Sequence, residues 1–199
     1  MKPISKIGCI IMASGLSVRF GRNKLMEKLG GRELVLITAD HARQAGFNPV
    51  TVTRSREVKE LLDRHGFRCV LHDKPRKSDT MHIGIKYVEA DAAGYCFWPA
   101  DQPLVLPETA ERLGLMFLSA PEEPVRLGYG NTCGSPVIFP LSLRTALLSY
   151  QGDRGGIEVL RKEKRSCRVI RASHAFELWD ADTPEKMEQL KKAYECLYE

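Results

Sequence analysis

No stretch of the 199 residues reaches the roughly 18 consecutive apolar positions of a membrane-spanning helix, so no membrane partner is expected. Six cysteines, Cys9, Cys69, Cys96, Cys133, Cys167 and Cys196, stand far apart. None forms the close pairs of a zinc ribbon or a thioredoxin-like redox site, and they read as reduced and mostly buried. Neither a G-x-x-x-x-G-K-[ST] loop nor a G-x-G-x-x-G after the first strand is present, which argues against standard P-loop hydrolysis and dinucleotide redox chemistry. Blocks of a single charge are missing as well: the net charge of +5 is dispersed among acids. Nucleic acid is therefore not the expected partner, and an anionic small molecule accounts for the charge equally well. Repeats and low-complexity segments are also absent. The first six residues lead straight into a short strand without a leader pattern, so a cytoplasmic protein is expected.

What remains is an ordinary globular composition, 43% hydrophobic and 28% charged, with length for one large domain spanning residues 1–199. The chain is organised around Ile10-Ile11-Met12-Ala13-Ser14-Gly15-Leu16-Ser17-Val18-Arg19-Phe20-Gly21-Arg22-Asn23-Lys24. An apolar run empties into small residues and then into spaced cations, the pattern of a buried strand feeding a phosphate-binding loop. Backbone N–H groups at Ala13, Ser14 and Gly15 can approach an anion closely, while Arg19 and Lys24 offset charge that backbone dipoles cannot.

Apolar spacing then predicts a helix over 32–45, a β-branched strand over 50–53, a helix entered at Ser55, and a strand over 67–71. This alternation is that of a parallel sheet. After a polar excursion containing Pro75, a helix over 80–88 begins beside Ser78, Asp79 and Thr80. Tyr95-Cys96-Phe97-Trp98 reads as a strand buried on both faces, and it ends in Pro99-Ala100-Asp101. An acid at the carboxyl end of a strand is well placed to meet the ligand of the opening loop. Pro107–Ser119 fits a helix, residues 125–128 a strand, 128–136 a glycine-rich loop before an apolar strand over 137–139, and 141–148 a short helix. Gly152, Asp153, Arg154 and Gly155 precede a helix over 157–164, as a second anion cradle or a capping turn. Strands are predicted over 167–171 and 176–179, and a C-terminal helix starts near Pro184 with Asp182 or Thr183 as its cap. Both tryptophans, Trp98 and Trp179, read as core. His41, His65, His72 and His174 lack partner spacing for a metal or a triad.

A basic loop, Asp101 at a strand end, and further acids at Asp180 and Asp182 are the parts needed for nucleotidyl transfer, in which Mg²⁺ spans carboxylates and phosphate oxygens. The opening residues resemble the nucleotidyltransferase pattern L-A-A-G-x-S-x-R-M/F-G-x-x-K, most closely that of the MocA-like molybdenum-cofactor cytidylyltransferases within the MobA-like NTP transferase superfamily. Five further segments are similar in order: Ser78 to Gly84 to S-x-S-I-x-x-G, Ala100 to Val105 to G-D-Q-P-L-V, Gly134 to Phe139 to G-N-P-V-x-F, Gly152 to Gly155 to G-D-K/R-G, and Asp180 to Glu185 to D-I-D-T-P-E. Ser14 departs from the second Ala of the loop, Thr80 and His82 from the middle motif, and Ser135 from the Asn beside Pro136.

The resemblance implies a three-layer α/β/α Rossmann-like fold of the nucleotide-diphospho-sugar transferase type with a mostly parallel mixed sheet. It also implies attack by the terminal phosphate of molybdopterin on the α-phosphorus of CTP or another NTP. Lys24, Arg19 and Asp101 are expected to be catalytic. Ala13, Ser14, Gly15, Ser17, Ser78 and Thr80, with Arg19 and Lys24, are expected to hold the nucleotide. Ser135, Gly152, Asp153, Arg154 and Gly155 are assigned to the acceptor, and Asp101 and Asp182 to Mg²⁺. A molybdenum hydroxylase is the expected recipient of the product. Transfer of GMP, transfer to a sugar phosphate, and non-catalytic delivery of the cofactor remain open at the level of sequence.

Overall fold

The apolar run that opens the chain forms strand β1 (Ile7–Ala13), whose side chains alternate between two cores. The structure is a computed structural model and describes residues 3–15, 23–88 and 91–198. Ile7, Cys9, Ile11 and Ala13 enter one core and Ile10 the other. A small hairpin, β2 (Lys28–Leu29) and β3 (Arg32–Glu33), lies outside the main sheet. The remaining strands are β4 (Asn48–Thr53), β5 (Arg68–Leu71), β6 (Gly94–Pro99), β7 (Val125–Tyr129), β8 (Thr132–Pro140) and β9 (Arg168–Arg171). They join β1 in a seven-stranded sheet of order β5-β4-β1-β6-β8-β7-β9. β8 runs antiparallel to both of its neighbours, and every other pairing in the sheet is parallel.

Helices α1 (Leu34–Gln44), α2 (Arg56–Arg64) and α4 (Pro107–Ser119) cover one face through residues such as Val35, Leu62 and Phe117. Helices α3 (Lys77–Tyr87), α5 (Arg144–Ser149) and α6 (Ile157–Lys162) cover the other through Met81, Leu147 and Leu160. The final helix, α7 (Pro184–Tyr198), sets Met187 and Leu190 against Leu29, Leu34 and Ile37. This is the three-layer α/β/α architecture with a mostly parallel sheet. The chain runs from β1 outward to β4 and β5, then returns to place β6 on the other side of β1. That reversal opens a crevice beyond the carboxyl ends of β1 and β6, where ligands of open α/β sheets bind. Close packing of α3 onto β1 needs Gly84, since a Cβ there would lie 2.4 Å from Ile10 Cγ2.

The structure corrects several expectations. Residues 176–179 are not a strand: Ala175–Leu178 is a turn of 3₁₀ helix, and Trp179 is 37% exposed instead of in the core. Trp98 is fully buried, edge-on to Phe47 at 6.4 Å between ring centroids. The helix predicted over 32–45 starts only at Leu34, because Arg32 and Glu33 pair with the strand before them. Most of the predicted loop over 128–136 is the extended hairpin of β7 and β8. Of the six free cysteines, only Cys9 and Cys96 are buried, while Cys133 and Cys196 are exposed. Among the described residues no helix is long and apolar enough to cross a membrane.

Candidate functional site

Three distant segments meet at the mouth of the crevice. Asn23 accepts from the Leu25 N–H and caps a single turn, Lys24–Met26, while its amide donates to Ser55 after β4. This fixes Lys24, only 8% exposed, beneath the end of the sheet. Its Nζ donates to Asp101 Oδ2 at 2.5 Å and to Asp182 Oδ1 at 2.7 Å. Asp101 follows β6, and the carbonyl of the intervening Ala100 accepts from Thr38 of α1. Asp182 is brought alongside by the Ala181 N–H, which donates to the Asp101 carbonyl at 3.0 Å. Burial alone would push the Lys24 ammonium down. The charge and hydrogen bond of Asp101, together with those of Asp182, outweigh it and hold Lys24 above its ordinary value. Asp180 turns elsewhere, accepting from Gln102 Nε2 at 2.7 Å, and burial with the nearby Asp101 charge raises its carboxyl.

Beside this cluster lies a cavity of about 440 Å³. Ser14, Gly15, Thr80, Lys24 and Asp101 line it, and so do three cations that the sequence reading did not single out: Arg54, Arg76 and Lys77. Among the described residues, a Cβ on Gly15 would meet no atom within 4 Å. Ala13 is buried as the last residue of β1, and its carbonyl accepts from Thr53 Oγ1. Ser17 and Arg19 lie outside the described residues.

His72, read as having no role, stands behind the cavity wall. Its Nδ1 accepts from the Lys74 N–H, which leaves the proton on Nε2. Nε2 then donates to Ser14 Oγ at 2.8 Å, and Ser14 donates to the Val52 carbonyl at 3.1 Å. The Ser14 hydroxyl proton is thus directed away from the cavity. Burial, and then the Arg54 charge, lower the His72 value below 6.5 against the opposing effect of Asp79 and Asp73. A histidine depressed in the fold stabilises it above pH 6.5 and loses that contribution as pH falls through the folded value, because the unfolded chain takes the proton first. His41 is lowered by burial in the same direction. Melting curves of H72Q should therefore fall less steeply than wild type below pH 6.5, with the His41 part common to both; equal slopes would refute the assignment.

The residues assigned to the acceptor form the neighbouring surface. Ser135, Arg154 and Gly155 line a second cavity of about 150 Å³ with Arg126, Phe97 and Phe139. Gly152 and Asp153 bind the start of α3: Gly152 N donates to Ser78 Oγ, its carbonyl accepts from the Ser78 N–H, and Asp153 Oδ1 accepts from the Lys77 N–H. Ser78 is fully buried, and its hydroxyl serves this loop. Asp153 also lines the larger cavity.

Among the described residues no group of three or more His, Cys, Asp or Glu side chains converges as a metal cage. Asp101 and Asp182 nevertheless offer hard carboxylate oxygens, which in this structure converge on the Lys24 ammonium. This donor set fits Mg²⁺, which keeps few protein ligands and completes its shell with water and substrate phosphates.

Residues 9–167 match the model of the MobA-like NTP transferase domain. The purine catabolism protein PucB of Bacillus subtilis is 23% identical over 201 residues, covering 92% of this chain and 95% of PucB. The fold superposes on Rv0371c of Mycobacterium tuberculosis with a TM-score of 0.81 at 23% identity, covering 94% of this chain and 97% of that one. That mycobacterial protein has also been solved as a complex with manganese, which superposes with a TM-score of 0.78 at 20% identity over 93% of this chain and 97% of that one. A nucleotidyl transferase from Methanothermobacter gives a TM-score of 0.81 at 20% identity, covering 95% of this chain and 97% of that one.

Proposed function

Because the chain belongs to the MobA-like NTP transferase domain family, we propose that it moves the nucleoside monophosphate of CTP to the terminal phosphate of molybdopterin, releasing pyrophosphate. The observation that carries this reading is the Lys24 ammonium, held between Asp101 and Asp182 and lining the larger of two adjoining cavities, which in this reading take one substrate each. An oxygen of the acceptor phosphate attacks the α-phosphorus. The bond from that phosphorus to the bridging oxygen breaks, and pyrophosphate departs with the electron pair. The attacking phosphate is already anionic, so neither a protein nucleophile nor a general base is required. Alignment and charge neutralisation account for the rate.

Arg54, Arg76 and Lys24 supply positive charge around the triphosphate in the larger cavity. Asp101 and Asp182 would hold a divalent ion, which when bound draws charge from phosphate oxygens as a Lewis acid. The manganese complex of the mycobacterial neighbour supports a divalent ion of this kind. The smaller cavity has aromatic walls at Phe97 and Phe139 and cations at Arg126 and Arg154, a lining suited to a flat heterocycle bearing phosphate. Ser14, the departure from Ala in the opening loop, gives its proton to Val52 and so adds no donor toward a base. This is compatible with CTP. A molybdenum hydroxylase is the recipient in this reading.

Pyrophosphate release measured with each NTP, with and without molybdopterin, tests the proposal. Release is expected only with CTP and molybdopterin together. GTP-dependent release would overturn the base assignment, transfer to a sugar phosphate the acceptor, and nucleotide binding without release the catalytic role itself.

A further inference from the structure

The two cavities share three residues, Met12, Pro99 and Lys77. Met12 and Pro99 are uncharged, so among the described residues Lys77 is the one charged side chain lining both. Its position is fixed from two directions. As the first residue of α3, its N–H donates to Asp153 Oδ1 at 2.9 Å, while the next residue, Ser78, exchanges hydrogen bonds with Gly152. Its side chain passes across Gly155, where a Cβ would lie 3.4 Å from Lys77 Cε and 3.7 Å from its Nζ. Gly155 has φ +72°, which a side chain would disfavour as well.

Of the other cations nearby, Arg54 and Arg126 each line one cavity only. Lys24 serves two carboxylates, Arg76 donates to Gln151, and Arg154 stands 4.0 Å from Glu158. No carboxylate lies within ion-pair distance of the Lys77 ammonium among the described residues. In-line transfer brings an acceptor oxygen to about 3–3.5 Å from the α-phosphorus, so two anions must approach closely where the cavities meet.

Resting on the nucleotidyl-transfer reading above, we infer that Lys77 is a further catalytic residue, whose ammonium touches the nucleotide's phosphate and the acceptor's phosphate together at the seam of the two cavities. It holds its proton throughout. One phosphorus–oxygen bond forms, one breaks, and pyrophosphate leaves with the bonding pair. The role of Lys77 is to lower the repulsion between the two phosphates as they approach.

The test compares wild type, K77M and K77R in the full chain, using whichever of CTP and GTP the wild type binds more tightly. Calorimetry reads nucleotide affinity, and ³¹P NMR reads inorganic phosphate bound to the nucleotide-saturated protein. K77M is expected to weaken nucleotide binding roughly tenfold and to abolish phosphate binding alongside it, with K77R recovering both to within about threefold. K77M matching wild type in either measurement overturns the shared role, as does a wild type that binds nucleotide but no phosphate beside it. A wild type that binds no nucleoside triphosphate removes the proposed function and this role with it. Unchanged melting of K77M and K77R separates loss of charge from loss of fold.

Discussion

Substituting Lys24 with methionine should lower nucleotidyl transfer by roughly two to three orders of magnitude, the cost of deleting one preorganised charge-stabilising donor. K24M keeps the length of the side chain but takes the ammonium away from Asp101 and Asp182, which it bridges at 2.5 and 2.7 Å. Two carboxylates then face one another without the cation between them. A stability loss of about 1–3 kcal/mol follows, below the range for a fully buried pair because Asp182 is partly solvated. Single-turnover product formation and melting curves provide the check. A K24M enzyme within tenfold of wild type would remove Lys24 from the chemistry.

A second large effect is expected far from the chemistry. Gly94 opens β6, and a Cβ there would sit 2.5 Å from Phe117 Cζ and 2.5 Å from the Phe139 carbonyl oxygen. Phe117 is a fully buried ring of α4, and the Phe139 carbonyl belongs to the neighbouring strand, so neither can yield cheaply. G94A should lose about 3 kcal/mol, the upper range for overpacking a dense core. In a chain of this size that is a fall of roughly 6–12 °C in melting temperature. Thermal denaturation with the active site intact measures it directly, and a shift under about 2 °C would mean that the strands part more easily than their packing implies.

The central strands were legible because burial on both faces writes an unbroken apolar run, as in Tyr95-Cys96-Phe97-Trp98, and the crevice follows from where such runs end. The turn at 175–178 was not. Its apolar residues imitate a strand, but Glu177 in its midst is fully buried and accepts from the N–H groups of Ser173, His174 and Leu106. The Leu106 partner is 71 residues away, and no local pattern announces it. In the site, motif spacing pointed to Lys24, Asp101 and Asp182, which the fold does bring together. Arg54 and His72 were passed over although each directly follows a strand, β4 and β5 respectively. The strand-end reasoning applied to Asp101 holds for both of them. Ser14 shows the reverse limit: it stands in the opening loop among the residues expected to hold the nucleotide, yet its hydroxyl's partners, Val52 and His72, come from β4 and from the loop after β5.

The hydrogen bond from the Ala181 N–H to the Asp101 carbonyl bears on how the protein comes into being. Asp182 lies beyond residue 167, where the family match stops, and 158 residues after the lysine it grips. A ribosome delivers the chain from the amino end, so both cavities can be walled while the second carboxylate is still in the exit tunnel. Until that segment emerges and docks, the lysine lacks its bond to Asp182. The second carboxylate of the cluster is in this sense added late in synthesis.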